Sequence, residues 1–548
     1  MYNQLTGTDS KLTKVCPNCG GLMTVKPGKF GKFWGCENYK SKNCKSIKFV
    51  FQKVEIEVNN NISHIIPTIQ QEKIIKAVKD GLESIRIDAG PGCGKSTLLQ
   101  YCYVSFLKDS GKDILVITLM TRSAQDLQAK GIEIAKTVNS VTYGITKQVF
   151  PKSNLKLQGK NPIKVRDIIL ECGLIAEDDR KKSVKPLSNI IAKLDAFMFK
   201  VSLENVNYLI NEEGYNFEID INEDLINVLT YIENKRIEQR PVFFDYDETL
   251  KIAIENPSYA KKYDYILLDE AQDNNKIKQA LIKSWLKPNG VLIAVGDENQ
   301  SVMGFTGADS NAMENLKTLF NAVSYPMNQT RRIPAEIVDN YLNVEFPEIE
   351  FTTVKSGGKF VPALDENFMM DSLIEDKNAF IICRNNAQLV KPAYTMIKAG
   401  YNVCILGIDI AQELINLIAN NKGHNVESTL TNIKKYVDGK FEQFKNAKNK
   451  EWLNDLQDKE ETIKSIAEGC ESIDEILLKV DSLFSDKKAD YTFLTGHKSK
   501  GLESNNVYLY RLDLLGKNSK TDKEKKQERN LHWVMSTRSL NKLVIVQS

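Results

Sequence analysis

Tyr265-Ile266-Leu267-Leu268-Asp269-Glu270-Ala271-Gln272-Asp273 reads as a buried strand that ends in acids. An unbroken apolar run suits a strand covered on both faces, and a parallel sheet keeps its chemistry at the carboxyl edge of such strands. Two adjacent carboxylates there are suited to a nucleotide-bound Mg²⁺. About 175 residues upstream, Ala89-Gly90-Pro91-Gly92-Cys93-Gly94-Lys95-Ser96-Thr97 follows the short run Ile85-Arg86-Ile87 and precedes a helical pattern. Such a loop offers backbone N–H groups to phosphates, the Lys95 ammonium to the β/γ-phosphates and the Ser96 hydroxyl to Mg²⁺. Asp269 then supplies the metal's carboxylate, while Glu270 orients or deprotonates an attacking water.

A Gly-rich turn with a lysine is common, and Ala89 stands where the loop pattern usually has its first glycine, so the surroundings decide. After Lys95, the apolar residues Leu98, Leu99, Cys102, Phe106 and Leu107 recur at helical spacing and stop at Gly111, and the run Ile114-Leu115-Val116-Ile117 follows. Strand, loop, helix, strand is the order that sets a helix N-terminus against a phosphate.

Further blocks appear in a fixed order. Thr68-Ile69-Gln70-Gln71 precedes the loop, and Val295-Gly296-Asp297-Glu298-Asn299-Gln300-Ser301 and Gln329-Thr330-Arg331-Arg332 follow the acids. Gly496-His497-Lys498-Ser499-Lys500-Gly501-Leu502-Glu503 and Gln527-Glu528-Arg529-Asn530-Leu531-His532-Trp533-Val534-Met535-Ser536-Thr537-Arg538 come last. From about Pro67 to the C-terminus these blocks together resemble superfamily 1A helicases of the UvrD/Rep type. The resemblance implies an α/β fold of two RecA-like parallel-sheet motor domains with helical insertions. It also implies an ATP- and Mg²⁺-dependent DNA helicase or translocase, moving 3′ to 5′ on single-stranded or tailed DNA.

Position by position, the resemblance implies that residues Ala89 to Thr97 bind ATP, Gln71 reads the adenine edge, Gln300 senses the γ-phosphate and Glu503 holds the ribose. Arg332 and Arg538 become arginine fingers from the second domain. These roles are physically reasonable: an amide donates and accepts at once, and a planar guanidinium neutralises charge building on a transferred phosphoryl group. Because both arginines lie far along the chain from Lys95, one ATP can meet all three only if two domains close over it.

The same resemblance makes Phe305, in Met303-Gly304-Phe305-Thr306-Gly307-Ala308, a base-stacking aromatic, and assigns strand-gripping positions to Arg122, Tyr143, Thr495 and His497. Stacking tolerates any base. Core packing is the commoner use of a single aromatic; placement inside ordered blocks favours the functional reading for Phe305 and His497, and less so for Tyr143. The chain also departs from the family. Thr97 replaces an arginine that stacks on adenine, Arg331 replaces a tyrosine before the first finger, and Gly144, Leu119 and Met303 replace a histidine, an aromatic and a tyrosine. Every metal and phosphate contact is kept, so these changes bear on adenine stacking and coupling rather than on hydrolysis.

At the N-terminus, Cys16-Pro17-Asn18-Cys19 with Cys36 and Cys44 supplies four thiolates, the number one tetrahedral Zn²⁺ takes. Over about fifty residues this segment, with Phe30, Phe33, Trp34 and Tyr39, resembles the zinc ribbons at the C-termini of type IA topoisomerases. Up to Lys53 it holds ten Lys against Asp9 and Glu37, so its charge is 10 − 2 = +8, and the rest of the chain carries 3 − 8 = −5. Lysines interleaved with Phe33 and Trp34 suit phosphate neutralisation and base stacking. The alternative is that the lysines offset a thiolate-rich zinc site and the aromatics form a small core. The other six cysteines are scattered without a pairing pattern, which points to a reducing, cytoplasmic setting.

At 548 residues with 42% hydrophobic content the chain can fill several cores. No run of eighteen apolar residues occurs and residues 1–10 are polar, so neither a membrane span nor a secretory signal is expected. The expected organisation is a zinc ribbon over 1–53, a linker over 54–66, a first motor domain over 67–330 and a second over 331–548. The first carries a helical insertion at about 150–240, and the second a reduced helical insertion at about 411–488. The acids of Asp245-Tyr246-Asp247-Glu248-Thr249-Leu250 read as a solvated helix start rather than a metal site, and Lys517 to Lys526 as a solvated loop. A monomer is expected. The competing readings are an RNA-directed motor and a nucleic-acid-binding scaffold with a regulatory ATPase.

Overall fold

The computed structural model describes residues 67–548, apart from 82, 159–160, 163, 214, 216, 218, 303–310, 444–450, 485–488, 518, 520–521 and 548. Before residue 67 it describes only the backbone of four strands. The chain divides into two units, Met1–Asn59 and Asn60–Ser548. In the first, Thr13–Val15, Leu22–Gly28, Gly31–Cys36 and Ile47–Phe49 form an antiparallel sheet in chain order. Cys16, Cys19 and Cys44 lie outside the described residues, as does Phe305. Phe33, Trp34 and Cys36 fall on the strand Gly31–Cys36.

The second unit is built on two six-stranded, all-parallel sheets. In the first, the strands run in the spatial order Val323–Met327, Ile85–Ala89, Leu286–Gly296, Tyr263–Leu268, Ile114–Thr118, Ala135–Thr137. Ile266, Leu267 and Leu268 are fully buried, as their unbroken apolar run requires of a central strand. Leu268 pairs with both Ala294 and Ile117, so the chain leaves the sheet at Asp269 between two neighbours, in the crevice where open α/β sheets hold ligands. The second sheet follows the order Lys359–Asp365, Ser539–Gln547, Ser504–Tyr510, Ala379–Cys383, Tyr491–Thr495, Val403–Ile405.

Each sheet carries helices inserted between its strands. In the first lobe, Lys164–Leu170, Glu177–Phe197, Leu203–Asn211 and Glu223–Gln239 enclose a core of their own that includes Ile190, Leu194, Leu209, Leu229 and Ile232. In the second lobe, Ile408–Asn420, Val426–Gln443, Glu451–Ala467 and Ile473–Leu483 share a core with strand residues Tyr491 and Phe493. Asp458 pins this second set to the sheet by accepting the N–H groups of Asn386 and Ala387, both at 3.1 Å, at the start of the helix Ala387–Lys398.

Two local expectations fail, each in part. Asp245 does start a helix, Tyr246–Glu255, through a capping box, but it is only 1% exposed and Glu248 is fully buried. The first insertion folds back over them. Asp245 accepts the N–H of Lys164 at 3.1 Å, while Glu248 pairs with Lys164 at 2.7 Å and Arg240 at 3.4 Å. Burial pushes the Asp245 carboxyl up to about 6. Lys517 to Lys526 is not a loop throughout, because the helix Asp522–Ser536 begins within it, but its charges stay solvated: Lys526 is 49% exposed while it reaches Glu298 at 3.0 Å.

The lobes meet face to face. One continuous hydrophobic cluster runs from Ile87 and Cys93 of the first lobe through Phe346 and Phe351 to Trp533 and Val534. Burying side chains of this size contributes roughly 1.5–3 kcal/mol each. Among the described residues no helix is long and apolar enough to cross a membrane.

Candidate functional site: a nucleotide cleft between two lobes

The phosphate loop leaves the strand Ile85–Ala89 and feeds the helix Lys95–Cys102. Gly92 (φ +73°) and Gly94 (φ +88°) take left-handed conformations that other residues resist. Gly94 caps the helix without any side-chain hydrogen bond, so the first-turn N–H groups are left to an anion. Lys95 Nζ donates to the Ala89 carbonyl at 3.2 Å, curled over the loop it serves. Ser96 and Thr97 follow, half-buried, in the first turn.

Gln71 braces this loop. Its Oε1 accepts the Thr68 N–H at 2.9 Å in a capping box, and its Nε2 donates to the Cys93 carbonyl at 3.1 Å. One amide hydrogen and one lone pair are left, enough to read a purine edge.

Across the crevice, the acids form a relay that sequence reasoning found only in part. Asp269 is 3% exposed, and Glu270 sits at φ +53°. Gln272 Nε2 donates to Glu270 Oε2 at 2.6 Å, and Gln272 Oε1 accepts the Asp297 N–H at 3.0 Å. Gln300 Nε2 donates to Asp297 Oδ2 at 2.7 Å, and Arg538 Nη2 donates to Gln300 Oε1 at 3.3 Å. Glu270, Gln272, Asp297, Gln300 and Arg538 are thus one connected line from the first lobe into the second. The roles of Gln272 and Asp297 were missed, although both lie inside the quoted blocks; adjacency to Glu270 and Gln300 was the available signal.

Electrostatics show what this cleft suits. Burial, then the neighbouring Glu270, pushes the Asp269 carboxyl up. Burial also opposes ionisation of Glu270, but Lys95, Lys500 and the Gln272 hydrogen bond outweigh it and hold its carboxyl low. Arg538 is fully buried, and its guanidinium is lowered to about 10 by that burial and by Arg332. Crowded carboxylates on one wall and crowded guanidiniums on the other are both relieved by a metal–polyphosphate: the acids by the cation, the arginines by the phosphates.

Arg332 approaches from the same side as Arg538. Its segment lies on the loop: Arg331 N donates to the Gly92 carbonyl at 3.0 Å, and a Cβ on Gly92 would come within 2.4 Å of Arg332 Cβ and 2.5 Å of Thr330 Oγ1. The Arg332 guanidinium pairs with Glu503 at 2.8 Å. Two further ties cross the cleft. Lys500 donates to Asp273 at 2.7 Å and to the Gln300 carbonyl at 2.8 Å, and Asn530 donates to the Ser301 carbonyl at 3.0 Å.

The strand-gripping candidates are divided between the lobes. Arg122 is exposed at the start of the helix Thr121–Ala129, and Tyr143 is 37% exposed on the helix Val138–Val149, its ring 5.8 Å from that of Phe244. In the second lobe Thr495 ends the strand Tyr491–Thr495. His497 follows in the helix Gly496–Ser499, where burial, Arg384 and Lys500 push its imidazole down to about 3 and keep it neutral.

Comparison with known proteins bears on the family of the first lobe. Residues 69–321 match the UvrD/REP helicase N-terminal domain. A probable DNA helicase II homolog of Mycoplasma capricolum is 27% identical over 309 residues, 50% of this chain and 42% of that protein. The ATP-dependent DNA helicase PcrA of Staphylococcus epidermidis is 26% identical over 250 residues, 43% of this chain and 34% of that protein. A probable DNA helicase II homolog of Rickettsia felis is 25% identical over 303 residues, 50% of this chain and 44% of that protein. The chain thus spans less than half the length of these curated relatives. Together, the domain match over residues 69–321 and these relatives support a UvrD-type helicase of superfamily 1A as the family this chain is similar to.

Proposed function

We propose that this chain is an ATP-hydrolysing DNA helicase or translocase that moves 3′ to 5′ along a single strand by closing and opening two lobes around one ATP. The observation that carries this reading is the reach of Arg332 and Arg538 from the second lobe to the phosphate loop and acid relay of the first. In this reading the loop N–H groups and Lys95 bind the phosphates, and Gln71 orients the base. Glu270, fixed by Gln272, aligns the attacking water and takes its proton on a carboxylate oxygen, while the two arginines neutralise charge on the phosphoryl oxygens. Ser96 and Asp269 are the residues that would hold Mg²⁺, which would supply neutralisation of the phosphate charge. Gln300 lies between the acids and Arg538, so a change at the phosphate is passed to the lobe contact and from there to the gripped strand.

The N-terminal unit is proposed to hold Zn²⁺ through Cys16, Cys19, Cys36 and Cys44 and to add a second nucleic-acid contact through Phe33 and Trp34. Strand register supports this reading: Val15 lies opposite Leu22 and Cys36 lies opposite Met23, so Val15 and Cys36 lie at one end of the sheet. Metal analysis of the purified chain, expected at one zinc per chain, tests it.

Strand displacement tests the whole proposal, with 3′- and 5′-tailed substrates in DNA and RNA, with and without residues 1–58. ATP-dependent displacement from the 3′-tailed DNA alone is the expected result. Turnover indifferent to every nucleic acid would favour a binding scaffold instead.

A further inference from the structure

Asn328 is the residue at which the chain leaves the first sheet on its way to Arg332. Met327 ends the edge strand Val323–Met327, and Gln329 opens a separate parallel pair, Gln329–Thr330 with Thr352–Thr353. This crossing is gripped from far away in the sequence. Gln70, 258 positions earlier, donates from Nε2 to Asn328 Oδ1 at 2.6 Å, and its Oε1 accepts the Asn328 N–H at 3.1 Å. One primary amide thus holds both the side chain and the backbone of residue 328, using a donor and an acceptor at once. On either side the segment is laid along the phosphate loop: the Met327 carbonyl accepts the Gly90 N–H at 3.0 Å, and Arg331 N donates to the Gly92 carbonyl at 3.0 Å. Gln70 stands in the first turn of the helix Ile69–Asp80 beside Gln71, which holds the Cys93 carbonyl of the same loop at 3.1 Å. Consecutive glutamines of one turn therefore fix the phosphate loop and the route to Arg332.

We infer that the Gln70–Asn328 clamp is a positioning device for Arg332, tying the reach of that guanidinium to the helix that carries Gln71. Gln70 acts through the backbone that delivers Arg332 rather than on ATP itself. Without the clamp the crossing can shift, and a misplacement of about 1 Å in a reacting group can cost on the order of 10²-fold in rate. ATP binding, which rests on the loop N–H groups and Lys95, is little affected. The inference rests on the two-lobe ATPase reading above and adds a positioning pair to it.

Near-isosteric exchange of the two amides tests it, read as kcat and KM for ATP in the full chain with single-stranded DNA, at about pH 8 where free carboxyls are ionised. Asn328→Asp keeps an acceptor for Gln70 Nε2, and in Gln70→Glu the Asn328 amide can turn to donate, so each single change keeps a pairing. Together they set two carboxylates against each other and break it. Each single variant is expected within about twofold of wild-type kcat, and the double about tenfold lower with KM within about twofold. Added to Arg332→Ala, the double should cost nothing more, because its effect passes through Arg332. Gln70→Ala, at a half-buried helical position, covers a folding defect in the charged pair and should lower kcat about fivefold by the same route. Wild-type kcat in both the double variant and Gln70→Ala, a rise in KM in place of the fall in kcat, or an undiminished effect on top of Arg332→Ala would overturn the clamp and leave the motor reading intact. Unchanged turnover in Arg332→Ala alone would overturn the finger, and the clamp with it.

Discussion

The two parallel sheets share an architecture and differ in what they present to the cleft between them. The first lobe offers carboxylates and an anion cradle: Asp269, Glu270 and Asp297 beside the loop that ends at Lys95. The second offers cations, Arg332, Arg538 and Lys500, with Glu503 as the counter-ion of Arg332. In the proposed reading neither face is a site alone. Acids without the arginines can hold a metal–nucleotide but leave the charge that develops during transfer unneutralised; arginines without the cradle have nothing to act on.

The most damaging change should remove a contribution of the second lobe. Arg538→Ala is expected to lower ATP turnover by about 10³-fold with ATP affinity nearly kept, measured by single-turnover hydrolysis and equilibrium binding. On the opposite wall, Glu270→Gln should slow hydrolysis by about 10²-fold and trap bound ATP, because the amide cannot take the water's proton. Lys500→Ala breaks the pair with Asp273 across the cleft. It should reduce stimulation of turnover by single-stranded DNA by roughly tenfold more than it reduces unstimulated turnover, since it joins the lobes rather than touching phosphate. Smallest of all, Thr68→Ala removes the cap that holds Gln71 and should cost about 1 kcal/mol of stability, seen as a lower Tm, with a few-fold rise in the KM for ATP. A second-lobe substitution that harmed ATP binding more than hydrolysis would blur the division between the faces.

Much of this was legible in the sequence where chemistry and periodicity coincide. Tyr265 to Leu268 had to be a buried strand because four consecutive apolar residues have no solvated face, and the loop at Lys95 was fixed by the strand before it and the helix after it. Less legible was anything that depends on what covers what. Asp245 and Glu248 look like a solvated helix start, and the cations that bury them, Lys164 and Arg240, stand far away or on another helix. Gln272 was hidden for a related reason: its use depends on Glu270 and Asp297 arriving on either side of it, which only the pairing of Tyr263–Leu268 with Leu286–Gly296 provides.

In the proposed reading one ATP is enclosed by both lobes, with Arg332 and Arg538 turned toward its phosphates. A crystal structure of the chain with Mg²⁺ and a non-hydrolysable ATP analogue tests this most directly. Both guanidiniums are expected within hydrogen-bonding distance of the γ-phosphate, with Arg332 released from Glu503. A triphosphate seated on Lys95 while either arginine faces away from it would overturn the two-lobe site.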